Sequence, residues 1–143
     1  MQTSCTNNPI LLVEDNPADL DLTIRAFSLS NLTNPINVAR DGEEALEFIQ
    51  RWEQGEALPV VILLDLKLPK IDGLEVLKTI KTHPEFNTIP IVVLTSSAES
   101  SDMKTAYKLG ANSYIVKPVD FEKFIEVAKH IELYWSVLNK PVV

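Results

Sequence analysis

The run Val60-Val61-Ile62-Leu63-Leu64, five aliphatic residues with no polar alternation, leads straight into Asp65 and then into Leu66-Lys67-Leu68-Pro69-Lys70-Ile71-Asp72-Gly73. A strand of this kind is covered on both faces, as in the middle of a parallel sheet. Asp65 is its first polar side chain, so it stands where the strand leaves the sheet. In open α/β sheets that carboxyl edge is where ligands bind. Taken alone, Asp65 reads more simply as a turn residue before Pro69, because Asp is common at strand ends.

The rest of the chain repeats the pattern. Pro9–Val13 is a short apolar run ending in Glu14-Asp15, and Asn16-Pro17 then forms a helix cap with proline at the first helical position. Leu20, Ile24 and Phe27 recur at helical spacing and are expected on one buried face. Ile36–Ala39 reads as a second strand. Asp41 caps a helix with Ala45, Ile49 and Trp52 inside. After Val60–Leu64, Asp72 and Glu75 resemble a capping box for a helix burying Leu74, Leu77 and Ile80, which His83-Pro84 stops. Ile89–Leu94 is another apolar strand, ending in Thr95-Ser96-Ser97. A polar helix follows from about Glu99 to a C′ glycine at Gly110, with few apolar positions, chiefly Met103, Ala106 and Leu109. Ser113–Val116 is the last strand, ending in Lys117-Pro118, and Asp120 caps a final helix to about Leu138.

Five strands alternating with five helices imply a parallel sheet with right-handed crossovers and helices on both faces. The expected fold is α/β, a flavodoxin-like (βα)5 doubly wound sheet with strand order 2-1-3-4-5. The 143 residues are read as a flexible tail over 1–8 and a single domain over 9–143 with a slightly extended C-terminal helix. The N-terminus has no signal-peptide pattern and no apolar run reaches the roughly 20 residues of a membrane span, so a cytoplasmic protein is expected. The single cysteine, Cys5, precludes an intrachain disulfide, and the net charge of −7 disfavours nucleic acid as a partner.

On this topology the exits of strands one, three, four and five converge, bringing together Glu14-Asp15, Asp65, Thr95-Ser96 and Lys117. Three neighbouring carboxylates repel unless a cation neutralises them, and hard, partly hydrated oxygen ligands suit Mg²⁺ better than Ca²⁺. Lys117 as a point charge and Thr95 as a donor suit a tetrahedral anion. The nucleophile available for a phosphoryl group is then a carboxylate. Each residue has an ordinary structural explanation, but their coincidence at four adjacent strand ends does not.

The order LLVEDN, LLDLKLPKIDG, IVVLTSS, GANSYIVKP resembles the receiver domain of two-component response regulators and covers nearly the whole chain. The segments NPADLDLTIRAF, RWEQGEALP and HPEFNTIPIVVLTSSAESSDM resemble the stand-alone regulators paired with cyanobacterial phytochromes. The resemblance implies that Asp65 accepts a phosphoryl group from a sensor histidine kinase of phytochrome type. Asp15, Asp65 and the Lys67 main-chain carbonyl would bind Mg²⁺, with Glu14 assisting through water. Lys117 would pair with the phosphoryl oxygens, aimed by a cis Lys117–Pro118 peptide. Thr95 and Tyr114 would form the switch on the face of helix four, strand five and helix five. Lys67 and Ser97, two residues after Asp65 and Thr95, border the path of an attacking water.

The chain stops just after the fifth helix, leaving no room for a helix-turn-helix output domain. Output is therefore expected through association. In the last helix Phe124, Val127, Ala128, Ile131, Trp135 and Leu138 form a stripe for the core. Leu133 and Val137 fall on the opposite face with Tyr134 at the edge, which with Tyr114 suggests a homodimer surface. Three alternatives differ in testable ways. An aspartate-nucleophile phosphatase needs an acid where Lys67 stands. A phosphorylation-independent pseudo-receiver would not need the intact acid pair, Asp65, Thr95 and Lys117. A flavin module would be repelled by the acidic first loop.

Overall fold

A computed structural model describes residues 8–30, 32–117 and 120–138, the side chains of 131 and 133–138 excepted. The elements in chain order are β1 (Ile10–Val13), α1 (Pro17–Ser28), β2 (Ile36–Ala39), α2 (Gly42–Glu53), β3 (Val61–Leu64), α3 (Gly73–Lys81), β4 (Ile91–Thr95), α4 (Ser100–Lys108), β5 (Ser113–Val116) and α5 (Phe121–Leu138). All strand pairs are parallel and the order is β2-β1-β3-β4-β5. This is the flavodoxin-like order expected from the alternation. Among the described residues no helix is long and apolar enough to cross a membrane.

Alternation along the strands divides the core in two. Leu11, Val13, Ile62, Leu64 and Val93 face one side, where α2 and α3 contribute Phe48, Trp52, Leu77 and Ile80 and α4 contributes Ala106. Ile10, Leu12, Val61, Leu63 and Val92 face the other, against Leu20 and Phe27 of α1 and Val127 and Ala128 of α5. With period-2 side chains and helices on both faces, every residue of β1, β3 and β4 is buried.

Helix ends follow their caps. Asn16 Oδ1 accepts from the Ala18 and Asp19 N–H groups at 2.9 and 3.0 Å, with Pro17 opening α1. Asp41 Oδ1 accepts from Glu44 N–H at 2.8 Å, and Glu44 reaches back to Arg40 N–H at 2.8 Å. Asp120 accepts from Lys123 N–H at 2.8 Å. Gly110 has φ of 110°, the left-handed C′ position after α4.

Three sequence expectations change. Ile24 of α1 is 37% exposed, whereas Thr23 is buried with Leu20, Ala26 and Phe27. Thr23 is tolerated inside because its hydroxyl donates to the Asp19 carbonyl at 2.7 Å. In α3, Val76 joins Leu77 and Ile80 in the core while Leu74 is only partly buried. Asp72 caps α3 through Leu74 N–H at 3.4 Å, and among the described hydrogen bonds none returns from the Glu75 side chain. The helix start is held instead by Gly73 N–H on the Leu66 carbonyl at 3.0 Å. A Cβ at Gly73 would collide with the Asp65 carbonyl oxygen and Leu66 Cα, so only glycine lets α3 begin this close to Asp65.

Candidate phosphoryl and metal site at the strand ends

Register places the site. Val13 pairs with Leu64, so Glu14 and Asp65 leave β1 and β3 side by side, and Asp65 N–H donates to the Val13 carbonyl at 3.0 Å. Thr95 pairs with Val116, and Lys117 N–H donates to the Thr95 carbonyl at 2.7 Å, which brings Lys117 to the same edge. An open cleft of about 370 Å³ lies there, lined by Asp15, Asn16, Asp19, Asp65, Lys67, Ser96 and Lys117 with Pro17.

The Lys117 ammonium is the electrostatic centre. It donates to Glu14 Oε1 at 2.7 Å, Asp19 Oδ2 at 2.9 Å and Asp65 Oδ2 at 3.1 Å. Glu14 and Asp65 are almost fully buried. Burial alone would pull the Lys117 ammonium down. Its hydrogen bonds to Glu14 and Asp19 and the charge of Asp65 outweigh that and hold it above the ordinary lysine range. Burial pushes the Glu14 carboxyl up to about 7, with the Asp65 charge adding to it, against the opposing effects of Lys117 and of Asn16 N–H. Two buried acids beside one ammonium thus leave Glu14 only partly ionised near neutrality.

Carboxylate oxygens of Glu14, Asp15 and Asp65 all lie within 4.8 Å of one another. An all-oxygen donor set with exposed Asp15 open to water fits a hard, partly hydrated divalent cation such as Mg²⁺ or Mn²⁺. Lys67 N–H donates to Asp65 Oδ1 at 3.0 Å, which fixes the Lys67 peptide next to that carboxylate.

Of the residues singled out from sequence, Glu14, Asp15, Asp65, Lys67 and Lys117 are brought together. Thr95 is fully buried behind them, its Oγ accepting weakly from Ser97 N–H at 3.4 Å, and Ser96 is the hydroxyl residue that lines the cleft. Half-buried Tyr114 donates its phenol to the Ser97 carbonyl at 2.9 Å, which ties β5 to the β4–α4 loop. Pro118, and hence the cis-peptide expectation, lies outside the described residues, as do the side chains of Leu133, Tyr134 and Val137. Sequence reasoning missed Asp19. Its signal was slight, because an acid in the first turn of a helix is ordinary dipole complementarity. It also missed Asp102, which accepts from Ser97 Oγ at 2.5 Å.

Residues 10–129 match the response regulator receiver domain. The chain is 44% identical over 132 residues to the probable methanogenesis regulatory protein FilR2 of Methanothrix harundinacea, covering 92% of this chain and 85% of that one. It is 40% identical over 130 residues to the response regulator Rcp1 of Synechocystis, covering 88% and 87%. The Mn²⁺-bound structure of Rcp1 superposes with a TM-score of 0.80 at 36% identity over 95% of this chain and 98% of that one. The phosphorylated cyanobacterial phytochrome response regulator RcpA superposes with a TM-score of 0.81 at 37% identity, covering 95% and 97%. Fold, strand-end acids and these likenesses agree, and the chain belongs to the receiver domain family of two-component response regulators.

Proposed function

We propose that this receiver takes a phosphoryl group onto Asp65 from a phosphohistidine of a sensor kinase, and that the group's arrival is read out through α4, β5 and α5. The observation that carries the reading is the Lys117 ammonium within 3.1 Å of Asp65, inside a ring of acids able to hold a divalent cation. In transfer, an Asp65 carboxylate oxygen bonds to phosphorus as the bond to the kinase nitrogen breaks, with the electron pair returning to the imidazole. Phosphoryl transfer needs alignment and charge neutralisation more than covalent help. Asp15, Asp65 and the Lys67 carbonyl, with Glu14 through water, would hold Mg²⁺, which would supply part of that neutralisation. Lys117 supplies the rest, since its donors already point at Asp65. Thr95 and Tyr114 form the switch. Phosphorylation adds roughly 1.5 to 2 negative charges, and reorganisation of the Thr95–Ser97 segment would release the Tyr114 phenol from the Ser97 carbonyl.

The protein is a signalling phosphoacceptor rather than an enzyme acting on other substrates, works in the cytoplasm as a single receiver domain, and passes its signal on by association. A homodimer through the α4–β5–α5 face is its most direct form, with Tyr114, Leu133, Tyr134 and Val137 contributing. Similarity to the cyanobacterial phytochrome response regulator RcpA favours a phytochrome-type kinase as the donor. The test is transfer of labelled phosphoryl from an autophosphorylated phytochrome-type kinase. Label moving to the wild-type chain but not to Asp65→Asn supports the reading. Label retained on the kinase, with the chain still phosphorylated by acetyl phosphate, would refute the phytochrome pairing alone.

A further inference from the structure

Lys67 sits between two anions. Its backbone N–H is fixed on Asp65 Oδ1 at 3.0 Å, and its side chain, 59% exposed, lines the cleft. Yet its ammonium lies 3.8 Å from Asp102 Oδ2 in the first turn of α4, and among the described ion pairs it makes none with Asp65. The same Asp102 oxygen accepts from Ser97 Oγ at 2.5 Å, a short charge-assisted bond. Asp102 is thus held in place by Ser97 and in turn holds Lys67. Lys117, the other cation lining the cleft, is already engaged by three carboxylates. Lys67, held by a single longer contact, is therefore the more loosely held of the two cations and can change partners when more negative charge arrives on Asp65.

We propose that Asp102 is a positioning residue that holds the Lys67 ammonium off Asp65 and so sets the lifetime of a phosphoryl group carried there. The proposal rests on the reading of Asp65 as phosphoacceptor. Loss of the group is hydrolysis. A water oxygen bonds to phosphorus as the bond from phosphorus to the Asp65 oxygen breaks, the carboxylate keeps the electron pair, and inorganic phosphate leaves with the water's proton passing to it or to solvent. In-line attack brings that water through the cleft mouth, opposite the bond that breaks. Lys67 drawn to Asp102 leaves the mouth open. Lys67 released would pair with the phosphoryl oxygens and lay its four-carbon stem across the path.

The ordinary account is that an exposed ion pair beside a helix start does nothing measurable, and the test separates the two. Asn at 102 keeps an oxygen for the Ser97 hydroxyl and removes only the charge. Wild type, Asp102→Asn, Lys67→Met and the double variant are phosphorylated with acetyl phosphate and Mg²⁺, the donor is removed, and decay of the adduct is followed by intact mass. The expected result is a lifetime about 1.5- to 5-fold longer in Asp102→Asn, the span that an exposed pair's strength allows. In the Lys67→Met background the same substitution has no effect, and in the single variant the effect shrinks as salt is raised. Asp102→Glu, which restores the charge, returns the lifetime toward that of wild type. An unchanged or shorter lifetime in Asp102→Asn overturns the proposal, as does a lengthening that persists without Lys67. Those outcomes leave the phosphoacceptor reading intact. No adduct on the wild-type chain overturns both.

Discussion

Replacing Lys117 by methionine tests the electrostatics of the strand ends most severely. Methionine keeps most of the stem's packing and removes the ammonium that Glu14, Asp19 and Asp65 share at 2.7, 2.9 and 3.1 Å. Asp19 is about a third exposed and its share is screened by solvent. Glu14 and Asp65 are buried, and stripping the partner from such a pair costs about 3–5 kcal/mol when the remaining charge cannot escape. Here part of it can. Without the ammonium, Glu14 loses the largest influence lowering its pKa and moves further above the value near 7 that it has in the intact site. A carboxyl raised in the folded state contributes stability that is fully present below its unfolded value, near 4.5, and lost as pH rises through the folded one. The deficit of Lys117→Met is therefore small at about pH 5 and grows toward pH 8, by at most about 1.4 kcal/mol per pH unit for one proton. Urea unfolding of both proteins at the two pH values, in chelator, measures it. Adding Mg²⁺ should then return more stability to the variant than to wild type, since a bound cation replaces the missing charge. A deficit that is constant with pH, or that narrows as pH rises, would mean that Glu14 does not take up the charge Lys117 leaves.

Other outcomes follow from the same geometry. Mg²⁺ affinity of the wild-type chain, measured by calorimetry, should rise with pH from about 6 to 8, because Glu14 sheds its proton over that range and bound metal favours the ionised form; a flat profile would mean that Glu14 is not part of the site. Gly73→Ala should destabilise the fold by about 1–3 kcal/mol and weaken Mg²⁺ binding, since its Cβ meets the Asp65–Leu66 backbone; denaturant melts and calorimetry read both. Tyr114→Phe deletes the bond to the Ser97 carbonyl and should cost about 0.5–1.5 kcal/mol, with faster amide exchange in the β4–α4 loop as its local signature. Light scattering should give a dimer for wild type and a monomer for Leu133→Glu/Val137→Glu, and equal masses would sink the dimer proposal.

The fold was legible because β1, β3 and β4 are apolar without alternation, and the helices after β1 and β3 open on the side-chain caps Asn16 and Asp72. The strand-end acids were legible for the same reason, since the first polar residue after a buried run must sit at the edge. What stayed hidden depends on tertiary approach. Ile24 and Thr23 satisfy nearly the same helical period, and only the hydroxyl's bond to Asp19 reveals which one is buried. Asp19 looked like a dipole acid until Lys117, 98 residues away, was placed against it. The Ser97–Asp102–Lys67 contacts join two loops and a helix, and no local pattern announces them. Thr95 and Ser96 are adjacent hydroxyl residues, and only the fold decides which of them lines the cleft.

Every role assigned to the strand-end residues depends on the chemistry of Asp65. Wild type and Asp65→Asn are incubated with acetyl phosphate, with Mg²⁺ and in chelator, and intact mass is recorded. The account predicts one phosphoryl adduct on wild type, dependent on Mg²⁺ and absent from Asp65→Asn. An adduct that survives the substitution, or none on wild type in saturating Mg²⁺, would contradict it.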